Sequence, residues 1–272
     1  MSGTVPDQGE EPGPLEVRGG TLEASALLNR LPGVAAWDLT VTEARQLTPA
    51  MRRVRVTAPG LADLGHQPGQ DLMLAVPDAA GAVFRRRYTV ARLDPATGAV
   101  DLEMVVHGEG PGAHWASTVG PGDRLDALGP RGKVTLDPDA ATHLFFADES
   151  GIPATFAMLA ALGPGARAAA FLEVAGPEER REPAVPDGAT VELTWLERGG
   201  DPPGTSGVLA EAATGAELPG GRCHAYVAAE LRVVAAARAA LAGRGLTPEQ
   251  LSAKPYWRLG VANAAHGEPA RD

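Results

Sequence analysis

Short runs of alternating apolar and polar residues fill the chain from residue 35 to residue 137. In the run Val100–His107 every second residue is apolar, while Asp101 and Glu103 fall on the opposite face. Such alternation predicts a strand with one buried face. Similar runs, separated by turn residues, are Trp37–Glu43, Met51–Thr57, Asp71–Val76, Arg86–Leu93 and Arg124–Gly129. Many short strands with turn punctuation predict an antiparallel, Greek-key type β-barrel over residues 35–137.

The clearest hairpin joins Tyr88–Leu93 to Val100–His107. The connecting residues are Asp94-Pro95-Ala96-Thr97-Gly98, and their proline and glycine supply turn dihedral angles. We therefore expect these two strands to pair.

The pattern changes after Pro138 to apolar runs that alternate with helical stretches. The apolar runs are His143–Ala147, Ala168–Val174, Val191–Leu196 and Ala225–Ala228, and the helical stretches are Pro153–Leu162 and Leu231–Gly243. Strands that alternate with helices predict a parallel sheet covered on both faces. We expect an α/β domain over residues 138–262, with a boundary near Asp137-Pro138.

The two ends of the chain have a different composition. Residues 1–20 are rich in glycine, proline and acidic residues, which predicts a disordered tail, and residues 263–272 are expected to form a second flexible tail. Within residues 21–34 four apolar residues share one helical face: Ala24, Leu27, Leu28 and Leu31. A short helix is predicted there, either packed on the domain or acting as a lid.

The chain carries a formal net charge of −10 and a pI near 5.1. An acidic surface disfavours nonspecific nucleic-acid binding, so no nucleic-acid partner is predicted. The positive charge is mostly arginine, since Lys133 and Lys254 are the only lysines in the sequence. The arginines cluster at Arg52, Arg53 and Arg55 and again at Arg85, Arg86, Arg87 and Arg92. These local clusters favour an anionic small molecule as partner.

Cysteine and histidine usage removes several classes of site. The single cysteine, Cys223, can form no internal disulfide, and the first residues lack a basic segment followed by an apolar one, so a cytoplasmic protein is expected. No apolar run approaches the roughly 20 residues of a membrane span, so no integral membrane segment is predicted. The six histidines show no paired metal-ligand spacing, and no protein metal site is predicted. The oligomeric state stays open.

The segment Arg86-Arg87-Tyr88-Thr89 begins a predicted barrel strand. Arg86 can hold a cofactor phosphate, and Tyr88, two residues later on the same face, can lie against an isoalloxazine ring. The hydroxyl of Thr89 can reach a flavin nitrogen. The alternative is an arginine-rich edge strand that happens to carry one tyrosine.

The segment His107-Gly108-Glu109-Gly110-Pro111-Gly112-Ala113-His114-Trp115 is a glycine-rich turn that leads into a predicted helix start. Backbone amides at such a turn can cradle a pyrophosphate. The alternative is a plain strand-to-helix connection. Because this segment follows the Arg-Tyr strand by one hairpin, the two should lie side by side.

These two segments resemble, in order and spacing, the siderophore-interacting proteins of the ferredoxin-reductase superfamily. Further matches are Gly129-Pro130-Arg131-Gly132, Asp148-Glu149-Ser150-Gly151-Ile152-Pro153-Ala154 and Tyr256-Trp257-Arg258-Leu259-Gly260. The resemblance runs from about Trp37 to Gly260. It implies an FAD-binding barrel joined to an NAD(P)H-type domain.

The resemblance also implies site residues. Those implied to bind cofactor are Arg86, Tyr88, Thr89, Val90, His107, Gly108, Gly110, Pro111, Gly112, Ala113, Trp115, Asp148, Ser150 and Trp257. Those implied to bind substrate are Arg52, Lys254 and Arg258, although a solvated charged face explains such residues equally well. Tyr256 and Trp257 are expected to close the chain against the barrel rather than contact the ring. No catalytic side chain is assigned, since the flavin carries the redox chemistry.

Several positions depart from the family pattern. Ala91 precedes Arg92 where an arginine usually follows directly, Ser150-Gly151 replaces Thr-Ala, and the segment from Val76 to Phe84 is short. Ala147 and Ala229 replace glycines at the carboxyl ends of strands, where a dinucleotide phosphate would approach closely. We therefore expect NADH and NADPH to reduce the flavin slowly and with weak saturation.

The resemblance implies a reductase that passes electrons from NAD(P)H through FAD to a ferric chelate. A second hypothesis is a relative that acts on an organic intermediate of a biosynthetic pathway, with or without nicotinamide. A third is a flavin-free binding module. The yellow colour of bound flavin would exclude the third.

Overall fold

A computed structural model describes residues 34–106 and 110–261 of the chain. The predicted tails and nearly all of the predicted helix over residues 21–34 lie outside the described residues. Among the residues that are described, no helix combines the length and the apolar character that crossing a membrane requires.

Six antiparallel strands close into a barrel in the order β1-β2-β5-β4-β3-β6, as predicted. Alternate residues of each strand point inward and build one apolar core, which contains Leu39, Val54, Leu72, Val90 and Leu102. The predicted hairpin is confirmed, because Val90 pairs with Leu102 and Asp94 with Ala99. The strands are β1 Ala35–Thr48, β2 Met51–Thr57, β3 Asp71–Pro77, β4 Val83–Asp94, β5 Ala99–Val105 and β6 Arg124–Arg131.

The outer face of β2 and β5 carries cross-strand ion pairs. Arg53 and Arg55 lie opposite Glu103 and Asp101 in the strand register. The Arg53 Nη2–Glu103 Oε1 distance is 2.7 Å, and the Arg55 Nε–Asp101 Oδ1 distance is 2.6 Å. Both carboxylates are buried. These two arginines therefore stabilise the sheet, and the expectation that this cluster attracts an anionic molecule is not supported at these positions.

One helix, α1, spans Pro111–Thr118 and packs Trp115 and Ala116 into the barrel core. The Arg52 guanidinium donates hydrogen bonds to the carbonyls of Ala116 and Val119, at 2.7 and 2.9 Å. Because the last carbonyls of a helix have no intrahelical donors, Arg52 caps the end of α1 and ties it to β2.

A five-stranded sheet follows in the order β11-β10-β7-β8-β9, with every neighbouring pair parallel, as predicted. One face packs on α3 and α4 around Phe146 and Leu241, and the other packs on α2 around Phe145 and Met158. The elements are β7 Thr142–Ala147, α2 Ile152–Leu159, β8 Arg167–Val174, β9 Thr190–Glu197, α3 Val208–Gly215, β10 Cys223–Glu230, α4 Leu231–Gly243 and β11 Leu251–Trp257.

The loop after β8 attaches the sheet to the barrel. Glu179 accepts hydrogen bonds from the Thr48 hydroxyl and, at 2.8 Å, from the Ala50 backbone N–H, both at the turn between β1 and β2. Arg181 lies 2.9 Å from Glu103 Oε2 and covers the Phe156 ring at 5.2 Å. Glu179 is buried, so its bonds hold the barrel and the sheet in one arrangement.

Substituting Glu179→Ala should lower the free energy of unfolding by about 1.5–3 kcal/mol, because the buried Thr48 hydroxyl and the half-buried Ala50 N–H lose a charged acceptor. Urea denaturation followed by circular dichroism measures this. The neighbouring Glu178 is exposed and provides the matched control, Glu178→Ala, which should change stability by less than about 0.5 kcal/mol. Equal stability of the two variants would contradict a bridging role for Glu179.

Candidate functional site

Arg86 and Tyr88 share one face of β4, as their spacing predicts. Gly112 of α1 packs directly against them: a Cβ atom placed on Gly112 would lie 2.6 Å from Tyr88 Oη and 3.4 Å from Arg86 Cγ. The predicted arginine–tyrosine strand and the glycine-rich turn are therefore in contact. Glycine is required at residue 112 for this close approach.

A cavity of about 660 Å³ opens beside this contact, between the barrel and the carboxyl edge of the parallel sheet. Its volume lies within the roughly 300–1,000 Å³ typical of small-molecule sites. The predicted cofactor residues in its wall are Arg86, Gly110, Gly112, Ala113, Asp148, Ser150 and Trp257. Arg258, which is predicted to bind substrate, also lines it and is exposed.

Helix α1 begins at the edge of this cavity. Gly110 is the N-cap residue, Pro111 occupies the first turn, and the backbone N–H of His114 donates to Gly110 O at 2.9 Å. The N–H groups that precede it have no acceptor inside the helix. Gly112 and Ala113 can thus present free amides to an anion in the cavity.

Tyr88 lies deeper than Arg86. Burial raises the pKa of Tyr88 to about 12, while the nearby charge of Arg86 opposes the shift. The Tyr88 ring lies 6.5 Å from the ring of Trp115. Tyr88 therefore keeps its phenolic proton at neutral pH and offers a neutral hydrogen-bonding group beside Gly112.

Some predicted cofactor residues do not reach the cavity. The Val90 side chain is fully buried in the barrel core, and its N–H donates to Gln70 O at 3.0 Å, so the predicted cofactor contact of Val90 has no support from its position. Trp115 is buried behind Tyr88 and supports it from the core side. Pro111 lines a neighbouring cavity instead. His107 and Gly108 lie outside the described residues.

Thr89 lies at the junction of β4 with β11. It is buried, and its hydroxyl is hydrogen-bonded to Tyr256. Burial raises the pKa of Tyr256 to about 12. Both residues line a smaller cavity of about 140 Å³, which also contains Arg86, Tyr88 and Ser150. Tyr256 thus packs the end of the chain against the barrel, as the sequence predicted.

Asp148 lies at the carboxyl edge of the parallel sheet and accepts hydrogen bonds from three other residues there. Its Oδ1 accepts from the Ser150 N–H at 2.9 Å and from the Ser150 hydroxyl at 2.5 Å. Its Oδ2 accepts from the Glu230 N–H at 2.9 Å and from Trp257 Nε1 at 2.7 Å. Burial raises the pKa of Asp148, and these donors oppose that effect. Asp148 joins the ends of β7, β10 and β11 and fixes the indole of Trp257 in the cavity wall.

Glu149 belongs to a buried ionic cluster rather than an acid–base pair. Its Oε1 lies 2.6 Å from Arg198 Nη1, and Glu173 Oε1 accepts from the Ser206 hydroxyl at 3.0 Å. Burial raises the pKa of Glu149 and of Glu173, while Arg198 lowers both. Glu230 is also buried there and caps the start of α4. The carboxyl edge of the sheet is therefore rich in carboxylates.

The expectation that the methyl groups of Ala147 and Ala229 stand in the way of a dinucleotide phosphate is wrong. Both residues are fully buried, with Ala147 packed on the α2 face and Ala229 on the α4 face of the sheet. Their methyl groups point into hydrophobic clusters, so they cannot obstruct a phosphate. Gly151 makes the close approach at this edge, since a Cβ there would lie 2.2 Å from Ala228 O.

Lys254, predicted to bind substrate, lies in a basic cluster between β11 and the barrel. Its Nζ is 3.1 Å from Asp71 Oδ2, and the Nε of Arg87 is 2.8 Å from Asp71 Oδ1. Arg52 is engaged at the end of α1 and is absent from the walls of these cavities. A substrate role for Arg52 therefore has no support from its contacts.

Six wall residues were not predicted as site residues, namely Val105, Glu149, Pro203, Leu259, Gly260 and Val261. Sequence reasoning also missed Asp71 as a part of the site, assigned no individual role to Arg87, and expected Tyr256 to close the chain against the barrel. The acidic Asp71 at the head of an otherwise apolar strand was the available signal. Pro203 lies in a Gly- and Pro-rich loop whose position no local pattern predicts.

Comparison with known proteins gives two family matches. Residues 75–134 match the "Siderophore-interacting FAD-binding domain", and residues 140–260 match the "Siderophore-interacting protein" family. The first match contains the Arg86–Tyr88 strand and α1, and the second contains the parallel sheet. The FAD-binding expectation for the barrel is confirmed at the level of the domain.

Individual relatives agree with these matches. The ferric vibriobactin reductase ViuB of Vibrio cholerae is 33% identical over 187 residues, which cover 67% of this chain and 68% of the relative. An uncharacterised protein of Mycobacterium tuberculosis is 37% identical over 157 residues, and the matched region spans 55% of that relative's length. The crystal structure of a siderophore utilization protein from T. fusca superposes with a TM-score of 0.78 at 34% identity, covering 86% of this chain and 97% of that one.

A more distant match concerns the fold alone. The ferredoxin reductase of carbazole 1,9a-dioxygenase has a TM-score of 0.67 at 20% identity, covering 84% of this chain and 71% of that one. The predicted ferredoxin-reductase-like arrangement of barrel and parallel sheet is confirmed.

The residues present fit FAD. The cavity is large enough, an arginine and the free amides of α1 suit a pyrophosphate, and the close contact at Gly112 leaves no side chain between the amides and Arg86. The aromatic side chains of Tyr88 and Trp257 suit a planar ring.

Gly112→Ala should reduce FAD retention by about tenfold or more, because the added methyl group would displace the Tyr88 hydroxyl and crowd Arg86. Flavin stoichiometry of the purified protein and fluorescence titration of the flavin-free form measure the loss. Gly120→Ala, just after the end of α1, is the matched control, since a Cβ there meets nothing within 4 Å and Gly120 does not line the cavity. Equal FAD retention by the two variants would place the cofactor elsewhere.

Trp257→Phe should weaken FAD binding by about tenfold, because phenylalanine keeps an aromatic face but lacks the N–H that donates to Asp148. Flavin fluorescence titration measures the affinity. Trp195→Phe, on β9 and away from Asp148, controls for the loss of an indole. An unchanged affinity in Trp257→Phe would show that the indole position does not depend on this bond.

Proposed function

The chain belongs to the siderophore-interacting protein family, and we propose that it is an FAD-dependent reductase that passes electrons from NADH or NADPH to a ferric chelate. One observation carries the proposal: the 660 Å³ cavity in which Arg86 and the start of α1 face Trp257 across the barrel–sheet junction. The similarity to a ferric vibriobactin reductase supports iron as the electron acceptor.

Arg86 and the amides of Gly112 and Ala113 would hold the pyrophosphate of FAD. Tyr88, on the same strand face as Arg86, would contact the ring system, with Trp257 as the facing wall. Burial lowers the pKa of Arg86 from its ordinary value, although an arginine so far above neutral pH stays charged. Bound phosphate would offset the cost of burying that charge.

FAD held by Arg86 and the α1 amides would supply the chemistry that links a two-electron hydride donor to the one-electron acceptor Fe(III). One reduced nicotinamide and two ferric ions would thus give one oxidised nicotinamide, two ferrous ions and a proton. The protein's residues would orient the two partners and exclude water from the cavity.

A basic cluster would attract the chelate. Lys254 and Arg87 flank Asp71, and the charge of Arg131 also acts on Lys254. The cluster adjoins Thr89 and Tyr256, which line the smaller cavity beside Arg86. With exposed Arg258 at the larger cavity, these cations favour an anionic ligand near the flavin.

The nicotinamide would bind at the carboxyl edge of the sheet, where α/β folds bind dinucleotides. That edge contains four buried carboxylates, Asp148, Glu149, Glu173 and Glu230, beside the buried cation Arg198. Their negative charge disfavours a pyrophosphate. Weak nicotinamide binding thus remains the expectation, for an electrostatic rather than a steric reason.

The second candidate is a relative that acts on an organic intermediate. The same carboxylate-rich edge favours it, because a donor other than a nicotinamide nucleotide would then be needed. In this alternative the flavin site is the same and the ferric chelate is replaced by a small organic substrate.

Under anaerobic conditions NADH and NADPH should reduce the bound flavin slowly and without saturation below millimolar concentrations. Stopped-flow absorbance of the oxidised flavin measures the rate. The salt dependence tests whether electrostatic repulsion of the nucleotide is the cause. If it is, the flavin should be reduced faster at high ionic strength, because salt screens the repulsion.

Rapid reduction with half-saturation in the micromolar range would contradict weak nicotinamide binding and leave the reductase proposal intact. Chemically reduced flavin should then be reoxidised by a ferric chelate without oxygen. Failure of every ferric chelate tested to reoxidise it would contradict the reductase proposal and favour the organic-substrate alternative.

A further inference from the structure

Asp71 is a buried carboxylate inside a group of cations. The exposed fraction of its side chain is 4%, and its two oxygens are separately engaged, Oδ1 by Arg87 Nε at 2.8 Å and Oδ2 by Lys254 Nζ at 3.1 Å. Arg131 lies opposite Asp71 in the β3–β6 register. We call Asp71, Arg87, Arg131 and Lys254 the junction cluster.

The cations of the junction cluster exceed its one carboxylate. Burial lowers the pKa of Lys254, the charges of Arg87 and Arg131 lower it further, and Asp71 raises it. Asp71 therefore partly offsets the lowering of the Lys254 pKa and at the same time occupies the two cations closest to it. An incoming anion is attracted by the excess positive charge of the cluster and is repelled by the carboxylate of Asp71.

The junction cluster borders the proposed flavin site. Asp71, Arg87 and Lys254 line a small cavity of about 20 Å³ together with Thr89, Pro255 and Tyr256. That volume holds about one water molecule. A ferric chelate could therefore present only a peripheral group here, and that group would lie beside the Asp71 carboxylate.

We propose that Asp71 is a specificity-determining residue that reduces the attraction of the junction cluster for highly anionic ferric chelates. The proposal rests on the proposed ferric-chelate function. Its physical basis is Coulomb repulsion, which grows with the negative charge of the chelate and vanishes for a neutral one. It is distinct from a purely structural role, which would change the affinity for all chelates alike.

The test compares the FAD-loaded full chain with its Asp71→Asn variant. Affinities are measured by quenching of flavin fluorescence with two probes, the neutral ferric tris(acetohydroxamate) and the trianionic ferric tris(catecholate). Asp71→Asn should tighten binding of the trianionic probe by on the order of tenfold and leave the neutral probe within about twofold. Asp94→Asn, the same charge change in the exposed β4–β5 turn, should alter neither.

An unchanged ratio of the two affinities in Asp71→Asn, or a weaker trianionic complex, would overturn the proposal. If Asp71→Asn loses FAD, Lys254→Met gives the second test. This variant should weaken binding of the trianionic probe and leave binding of the neutral probe unchanged. An equal loss of affinity for both probes would overturn the proposal. Failure of the wild-type protein to bind either probe would instead reject the ferric-chelate function, and the inference with it.

Discussion

The site depends on one carboxylate. Asp148 follows β7 and accepts two hydrogen bonds from Ser150, one from Glu230 of β10 and one from Trp257 of β11. The last of these fixes Trp257 in the cavity wall. A buried carboxylate tolerates little loss of its donors, because an unmatched charge in the interior costs several kcal/mol. The demand for complete pairing at Asp148 therefore sets where β7, β10 and β11 end relative to one another. The cavity exists because these strand ends and α1 face each other across a gap.

Charge is distributed unevenly around that gap. The barrel side supplies Arg86 and the amides of α1, whereas the sheet side supplies carboxylates whose charge is only partly offset by Arg198 and by backbone donors. Many arginines of the barrel are paired inside the fold. Arg53 and Arg55 pair with carboxylates of β5, and Arg52 donates to carbonyls at the end of α1. Arg86 lines the larger cavity, and the junction cluster lies where β11 meets the barrel, so these two places bring positive charge nearest to an anionic ligand.

The sequence predicted the barrel and the parallel sheet because both depend on local periodicity. The six barrel strands and the Asp94–Gly98 turn follow directly from alternation and turn residues. β11 escaped prediction, since its sequence is mixed and contains Pro255, which an edge strand tolerates. The contact between Arg86, Tyr88 and Gly112 was predictable from spacing. The partners of Arg52, Asp71 and Arg198 were not, because pairing between charges on different elements depends on the tertiary arrangement.

The bridge formed by Glu179 and Arg181 has a consequence for how a ligand enters. Both residues project from the sheet side onto the barrel and hold it through a buried carboxylate and a guanidinium stacked on Phe156. Such a joint resists hinge motion between the barrel and the sheet, which favours a cleft of fixed shape over one that forms by domain closure. A cofactor would then enter and leave a cleft of fixed shape. Its residence time would be set by the interactions that it must break on leaving.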